Sequence, residues 1–394
     1  MSEILKKANE IKEFMTVARQ NFHQHPELAH KEYETTKYIK ERLAEMGVEL
    51  LDIEFNTGCI AIIKGEKAGP DVITGIRADI DALPIIEQTG VPYTSQNEGI
   101  MHACGHDGHT ACLLGVAKLL NSMKSEFGGT VMLIFQPAEE GGRGAKTMMD
   151  KGAFNKYKPD EVFALHAYPY LPAGKIGITP IKAMASADSF VATVTGKGGH
   201  GARPCESINP ISAVASMISA INSIVSTQIP TFDSVVISIC TVHSGVAANV
   251  IPQEASFSGT VRCLENDNRK VVRDFIEQKI AGISQSFGCE YELNYKEGVS
   301  SLTNSKAVND KIYQAAADSI GEENICMIDN ASMGSEDFSD FIMEVGGNGA
   351  MFRLGAGNKE NTSAALHNHM FNFEDDALPY GAAVLSQYIL NKHK

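Results

Sequence analysis

No apolar run in this chain approaches the ~18 residues that a membrane-spanning helix needs, so none of it is expected to cross a bilayer. The stretch MSEILKKANEIKEF mixes charges and lacks an apolar core followed by a small-residue cleavage site, so no secretory signal is expected. The eight cysteines are scattered, with no framework of close pairs. That is the pattern of reduced thiols in a cytoplasmic enzyme, not of a disulfide scaffold. Positive charge is in deficit: 34 Lys and Arg stand against 48 Asp and Glu, a net charge of −14. This argues against a nucleic-acid or anionic-membrane partner. The chain contains neither an internal repeat nor a low-complexity tract.

What remains has the composition of a soluble globular protein, 43% hydrophobic and 21% charged. At 394 residues it is too long for one ordinary core, so two domains are expected. Residues 3–47 read as helices, the last stopping at Gly47. Strand-like runs follow at 59–64, 71–78, 130–135 and 161–165, with helices predicted at 111–123 and 144–151. AMFRLGAG is a further strand, and a helix over 374–390 closes the chain. Buried-type strands separated by helices predict an α/β domain with a mixed, mostly parallel sheet flanked by helices. In such sheets ligands gather at the carboxyl ends of the strands. Asp79, Glu139, Glu140 and His166 each stand at such an end.

The middle of the chain differs. Strands at 187–195, 234–242, 254–263 and 289–295 and helices at 207–228 and 266–287 run in the order β-α-β-β-α-β. That is a ferredoxin-like α+β unit. Residues 183–297 are therefore expected to form an inserted lid or dimerisation domain. Residues 1–182 and 298–394 would form a catalytic metal-binding domain.

The chemistry concentrates in MHACGHDGHT, residues 101–110, where His102, Cys104, His106, Asp107 and His109 lie among small residues. A thiol and imidazoles this close point to a metal. Cys104, His106, Glu140, His166 and His367 together supply N, O and S donors enough for two four- to five-coordinate cations. Adjacent Glu139 and Glu140 cannot point the same way from an extended segment. One can bind metal while the other faces a water, the division that metal-assisted hydrolysis needs. His23 and His25, in NFHQHPEL, read as structural groups or supports for the ligands. In the predicted insert, His200 stands among glycines in GKGGHGARP, which expose an imidazole. Asn249 and Arg262 are donors suited to a substrate carboxylate, although surface hydrogen bonding accounts for them equally well.

RADIDALP, MHACGHDGHT, QPAEEGGRGA, LHAYPYLPAG, GGHGARP, NVIP, SEDF and LHNHMF together resemble the amidohydrolase branch of the dinuclear metallopeptidases, the aminoacylase and glutamate carboxypeptidase-like family. That branch includes hippurate hydrolases, N-acyl-L-amino acid amidohydrolases and plant auxin-conjugate hydrolases. The resemblance covers essentially the whole chain. It implies metal ligands at Cys104, His106, Glu140, His166 and His367, and Glu139 as general base. It implies two divalent ions per subunit, Mn2+ or Zn2+, and a homodimer formed through the inserted domain. His200 would polarise the scissile carbonyl in the partner's site, and Asn249 and Arg262 would hold the substrate. Asp107 would orient an imidazole, and His102 and His109 would have no catalytic role. Two positions depart from the family pattern. Arg143 replaces a usual glycine and would put a cation beside the site, and Asn368-His369 follows His367 where Ser-Pro is common, making His369 a competing ligand.

The activity expected is hydrolysis of the amide bond of N-acetyl- or N-benzoyl-type N-acyl-L-amino acids. A dipeptidase or carboxypeptidase on the same scaffold is the alternative. Further off stands a non-hydrolytic metal-loaded binding or redox-sensing protein.

Overall fold

A computed structural model describes residues 1–358 and 363–394. It divides into two compact units. The first comprises Met1–Ile181, Thr303–Asn330 and Asp337–Lys394; the second comprises Lys182–Leu302 and Ala331–Glu336. Among the described residues no helix is long and apolar enough to cross a membrane.

The first unit is built on an eight-stranded sheet. Its centre is the run of strands Thr130–Gln136, Ile73–Asp79, Glu161–Pro172 and Gly349–Gly357, each parallel to the next. Cys59–Lys64 adds antiparallel to Thr130–Gln136, and short strands complete both edges. All seven residues of Thr130–Gln136 are buried, as the continuous apolar run requires of a strand covered on both faces. Helices Lys12–Gln24, His106–Ser122 and Leu378–Lys392 pack against one another in the main core. In His106–Ser122, Leu113, Leu114, Val116 and Leu120 are each fully buried. Each such side chain contributes roughly 1.5–3 kcal/mol.

Of the boundaries that differ from the sequence expectation, two move expected metal ligands. The helix expected from residue 111 begins at His106, so His106, Asp107 and His109 lie in its first turns. Gly105 precedes it at φ +88°, and a Cβ there would stand 2.7 Å from that of Ala167. Only glycine fits both the turn and the contact. The strand expected to end at Leu165 runs on to Pro172, so His166 is a strand residue, paired in register with Arg353.

The second unit is a four-stranded antiparallel sheet in the order Val235–Ser244, Glu254–Cys263, Asp188–Thr195, Glu290–Lys296. With helices Pro210–Asn222 and Asn266–Phe287 this is the ferredoxin-like arrangement. Alternate strand residues Phe190, Ala192, Val194, Ala255 and Phe257 pack with Val214, Met217, Ile276 and Ile280 from the helices, so one face of the sheet is covered. Asn209 caps the shorter helix, its side chain accepting from the Ile211 amide.

Candidate metal centre

The carboxyl ends of the central strands and the start of the helix His106–Ser122 bring six of the expected side chains together. Ligand atoms of Cys104, His106 and His166 lie within 4.8 Å of one another, and so do those of Cys104, Glu140 and His367. A third such group joins His106 to Glu139 and Glu140. Cys104 thus belongs to two triads. His369 belongs to no such group among the described residues; its carbonyl accepts from the Gln88 amide.

The imidazoles are oriented by their unused nitrogens. Nδ1 of His106 donates to the Asp81 carbonyl at 2.9 Å, and its buried Nε2 has no hydrogen-bond partner. Nδ1 of His166 donates to the Ala167 carbonyl at 2.8 Å, leaving Nε2 facing the Cys104 sulfur at 3.6 Å. In each ring Nδ1 is spent on a backbone carbonyl and Nε2 is the nitrogen left facing the cluster, the arrangement of an imidazole ligand. His109 is different. Its Nδ1 contacts the Asp79 carboxylate at 2.6 Å and its Nε2 accepts from the Ala167 amide at 2.7 Å, so both nitrogens are engaged. His102 is buried with neither ring nitrogen bonded, and burial lowers it to about 4, keeping it neutral.

The electrostatics of the centre pull its groups in opposite directions. Burial opposes protonation of His106, but Asp79 and Cys104 outweigh it and raise the group well above its ordinary value. Burial lowers His166, with Arg353 adding to the effect. Burial also pushes the Cys104 thiol up to about 12. Asp79, opposed by burial, is held well below the carboxylate range by Arg77, His106 and His109. His367 is raised by Glu140, whose Oε1 lies 3.1 Å from Nε2. An orphaned buried Nε2, a second lone pair aimed at a thiol, and two carboxylates make a donor set that fits divalent transition-metal ions.

The loop that carries Glu139 and Glu140 is unusually constrained. Ala138 and Arg143 both take left-handed backbone, at φ +55° and +52°. The amide of Glu140 donates to Asp81 Oδ2 at 2.9 Å, and that of Ala138 to Glu32 Oε1 at 2.8 Å. The left-handed φ accounts for the glycine usual at position 143. The Arg143 guanidinium is paired with Asp340 at 3.3 Å.

Asp107 orients an imidazole, but not one of the cluster: its Oδ2 lies 2.8 Å from His23 Nδ1, and Glu87 holds the other nitrogen of His23 at 3.1 Å. Arg19 closes this buried network on Asp107 at 3.3 Å. His25 is exposed and contacts the Asn21 carbonyl. The orienting group for His106 is Asp81, which sequence reasoning noted in RADIDALP without giving it a part. Glu32 was missed altogether.

In the second unit, His200 pairs with Val250 in a two-stranded ribbon, and the Gly201 amide donates to the Asn249 carbonyl at 2.8 Å. Both His200 and Asn249 are exposed. The Ala202 amide donates to His200 Nδ1 at 3.0 Å, so the neutral ring carries its proton on Nε2. Arg262 is not with them. It lies eight residues along the strand from Glu254, about 26 Å away at a strand's rise, and donates to Ser335 Oγ at 2.9 Å.

The sequence matches the model of peptidase family M20/M25/M40 over residues 75–391. The chain belongs to this family and is an amide-bond hydrolase. It is 39% identical to the N-acetylcysteine deacetylase of Bacillus subtilis strain 168 over 371 residues, 94% of this chain and 93% of that one. It is 36% identical to thermostable carboxypeptidase 1 of Saccharolobus solfataricus over 391 residues, 97% of each. A crystal structure from Bacillus subtilis, described as a dinuclear metal-binding peptidase of the M20 family, superposes with a TM-score of 0.84 at 34% identity, covering 97% of this chain and 98% of that one.

Proposed function

We propose that this chain hydrolyses the amide bond of N-acyl-L-amino acids, releasing a carboxylic acid and the amino acid, with two divalent ions that Cys104, His106, Glu140, His166 and His367 would hold. The observation that carries the reading is the double membership of Cys104. Cys104, His106 and His166 would hold one ion, and Cys104, Glu140 and His367 the other. Thiolate softness favours Zn2+, and Mn2+ is the alternative of the resembling branch. The ions would supply Lewis acidity and lower the pKa of a bound water.

The chain's own part is positioning and proton transfer. Glu139 sits beside His106 and Glu140. It takes the proton of the attacking water and delivers it to the leaving nitrogen. His200 would donate from Nε2 to the scissile carbonyl oxygen, reaching the site of a partner subunit in a homodimer formed through the second unit. Asn249, beside His200 in the ribbon, would bind the substrate carboxylate. Arg262, tied to Ser335, would act more remotely on substrate binding.

Glu139→Gln keeps the shape and removes the base. Turnover of N-acetyl-amino acids should fall by at least about a thousandfold with metal content unchanged. Retained hydrolysis would sink the assignment. The similarity to a carboxypeptidase favours a second reading, cleavage of dipeptides or C-terminal residues. A panel of N-acetyl- and N-benzoyl-amino acids against dipeptides separates the two by kcat/KM.

A further inference from the structure

Glu139 follows a residue whose backbone is held in a costly conformation. Ala138 is left-handed at φ +55°, where an L side chain is strained, and nothing in its own side chain compensates. The strand Thr130–Gln136 ends two residues earlier, so this turn sets the direction in which Glu139 leaves the sheet. The Ala138 amide is held from outside the loop by one group: Oε1 of Glu32, 2.8 Å away. Glu32 is fully buried, and the same oxygen accepts from the His30 amide at 3.0 Å. His30 in turn places Nε2 2.9 Å from the Gly142 carbonyl, beyond Glu140 in the same loop. The segment 27–32 is itself anchored to the neighbouring site loop, since the Ala82 amide donates to the Glu27 carbonyl at 2.8 Å. A buried carboxyl group is costly unless its bonds are worth the desolvation. Burial raises Glu32, and Asp81 adds to the effect. A group retained at that cost, bonded to the amide just before Glu139, has a task there.

We propose that Glu32 is a positioning residue for Glu139: its bond to the Ala138 amide holds the left-handed turn that aims the Glu139 carboxylate. Asp81 does the same on the other side through the Glu140 amide, so the base is bracketed by two buried carboxyl groups bonded to the backbone beside it. The role requires an acceptor oxygen at this point and not a charge. Glutamine can supply that oxygen; alanine and aspartate cannot, the latter being one methylene too short.

The inference rests on the reading of Glu139 as the proton carrier, so Glu139→Gln is run beside it. Glu32→Ala, Glu32→Asp and Glu32→Gln are purified with metal and compared for kcat, KM, metal content and amide exchange over residues 137–144. Glu32→Ala and Glu32→Asp should lose about tenfold to a hundredfold in kcat, with KM and metal content held and exchange in the loop accelerated. Glu32→Gln should restore kcat to within about threefold of the parent, with slow exchange and an unshifted acid limb of the pH profile. If Glu32→Ala does not fold, the Asp and Gln pair decides alone. An Ala or Asp variant with parental kcat, or a Gln variant as impaired as Asp, overturns the proposal while an inactive Glu139→Gln leaves the function standing. An active Glu139→Gln overturns both.

Discussion

The two triads that share Cys104 differ in what surrounds them. Cys104, His106 and His166 are all buried, whereas Cys104, Glu140 and His367 run from a buried sulfur to an exposed imidazole. The buried histidines have their Nδ1 atoms tied to backbone carbonyls. His367 is anchored through its backbone, its amide donating to the Ala103 carbonyl at 2.7 Å with φ +62°. One triad is thus held by packing and hydrogen bonds, and the other opens toward solvent at His367. Preorganised donors bind tightly; exposed ones exchange.

Replacing the shared atom should erase the difference between the halves. Cys104→Ser removes the soft donor from both, and we expect both ions to be lost and turnover to fall by at least about a hundredfold. Metal analysis after gel filtration reads this directly, and a variant that keeps both ions would show that the sulfur does not join them.

Breaking one half at a time sharpens the contrast. His106→Ala opens a cavity in a packed region, and should lower the melting temperature by several °C as well as releasing an ion. His367→Ala should also release one ion, but leave the melting temperature of the metal-free protein within about 2 °C of the parent. Brief chelation of the parent should remove about one ion per chain ahead of the other. Equal rates of loss would show that the two halves hold metal alike.

The smallest expected effect concerns the network behind the buried half. Burial opposes the charge on His23, but its bonds to Asp107 and Glu87 hold it at about 9, above the ordinary 6.5. A raised pKa contributes stability that is complete below 6.5 and is lost as pH rises through about 9. The melting temperature should therefore fall by a few °C between pH 6.5 and 9.5. His23→Gln should flatten that slope, and a slope unchanged in the variant would remove His23 as its cause.

The α/β architecture and the ferredoxin-like unit were legible because strand runs and helix periodicity record which face is buried. The side chains of the centre were legible for a related reason: Glu139 and Glu140 follow directly on a buried strand and His166 interrupts one, placements that are costly for polar groups without a purpose. The start of the helix at His106 was not legible. His, Asp and Gly are poor helix formers, yet Asp107 in the first turn suits the helix dipole, and Gly105 supplies the turn that admits it. Asp81 and Glu32 escaped because they act on the amides of Glu140 and Ala138, and an amide carries no mark in the sequence of the carboxyl group that will hold it. That Asp107 orients an imidazole was legible, but which one was not, since adjacency in the chain does not reveal that residues 106 and 107 face different partners.

The donors of the centre are spread from Cys104 to His367, and this has a consequence for synthesis. A ribosome releases Cys104 and His106 early, and His367 only after the entire second unit has been made. The partial centre could begin to gather metal on the nascent chain, yet the open half cannot close until the last strand, Gly349–Gly357, has docked beside His166. On the ligand set proposed above, catalytic competence is a late event in biogenesis, and a truncated chain lacking the final segment would carry most of the donors with none of the activity.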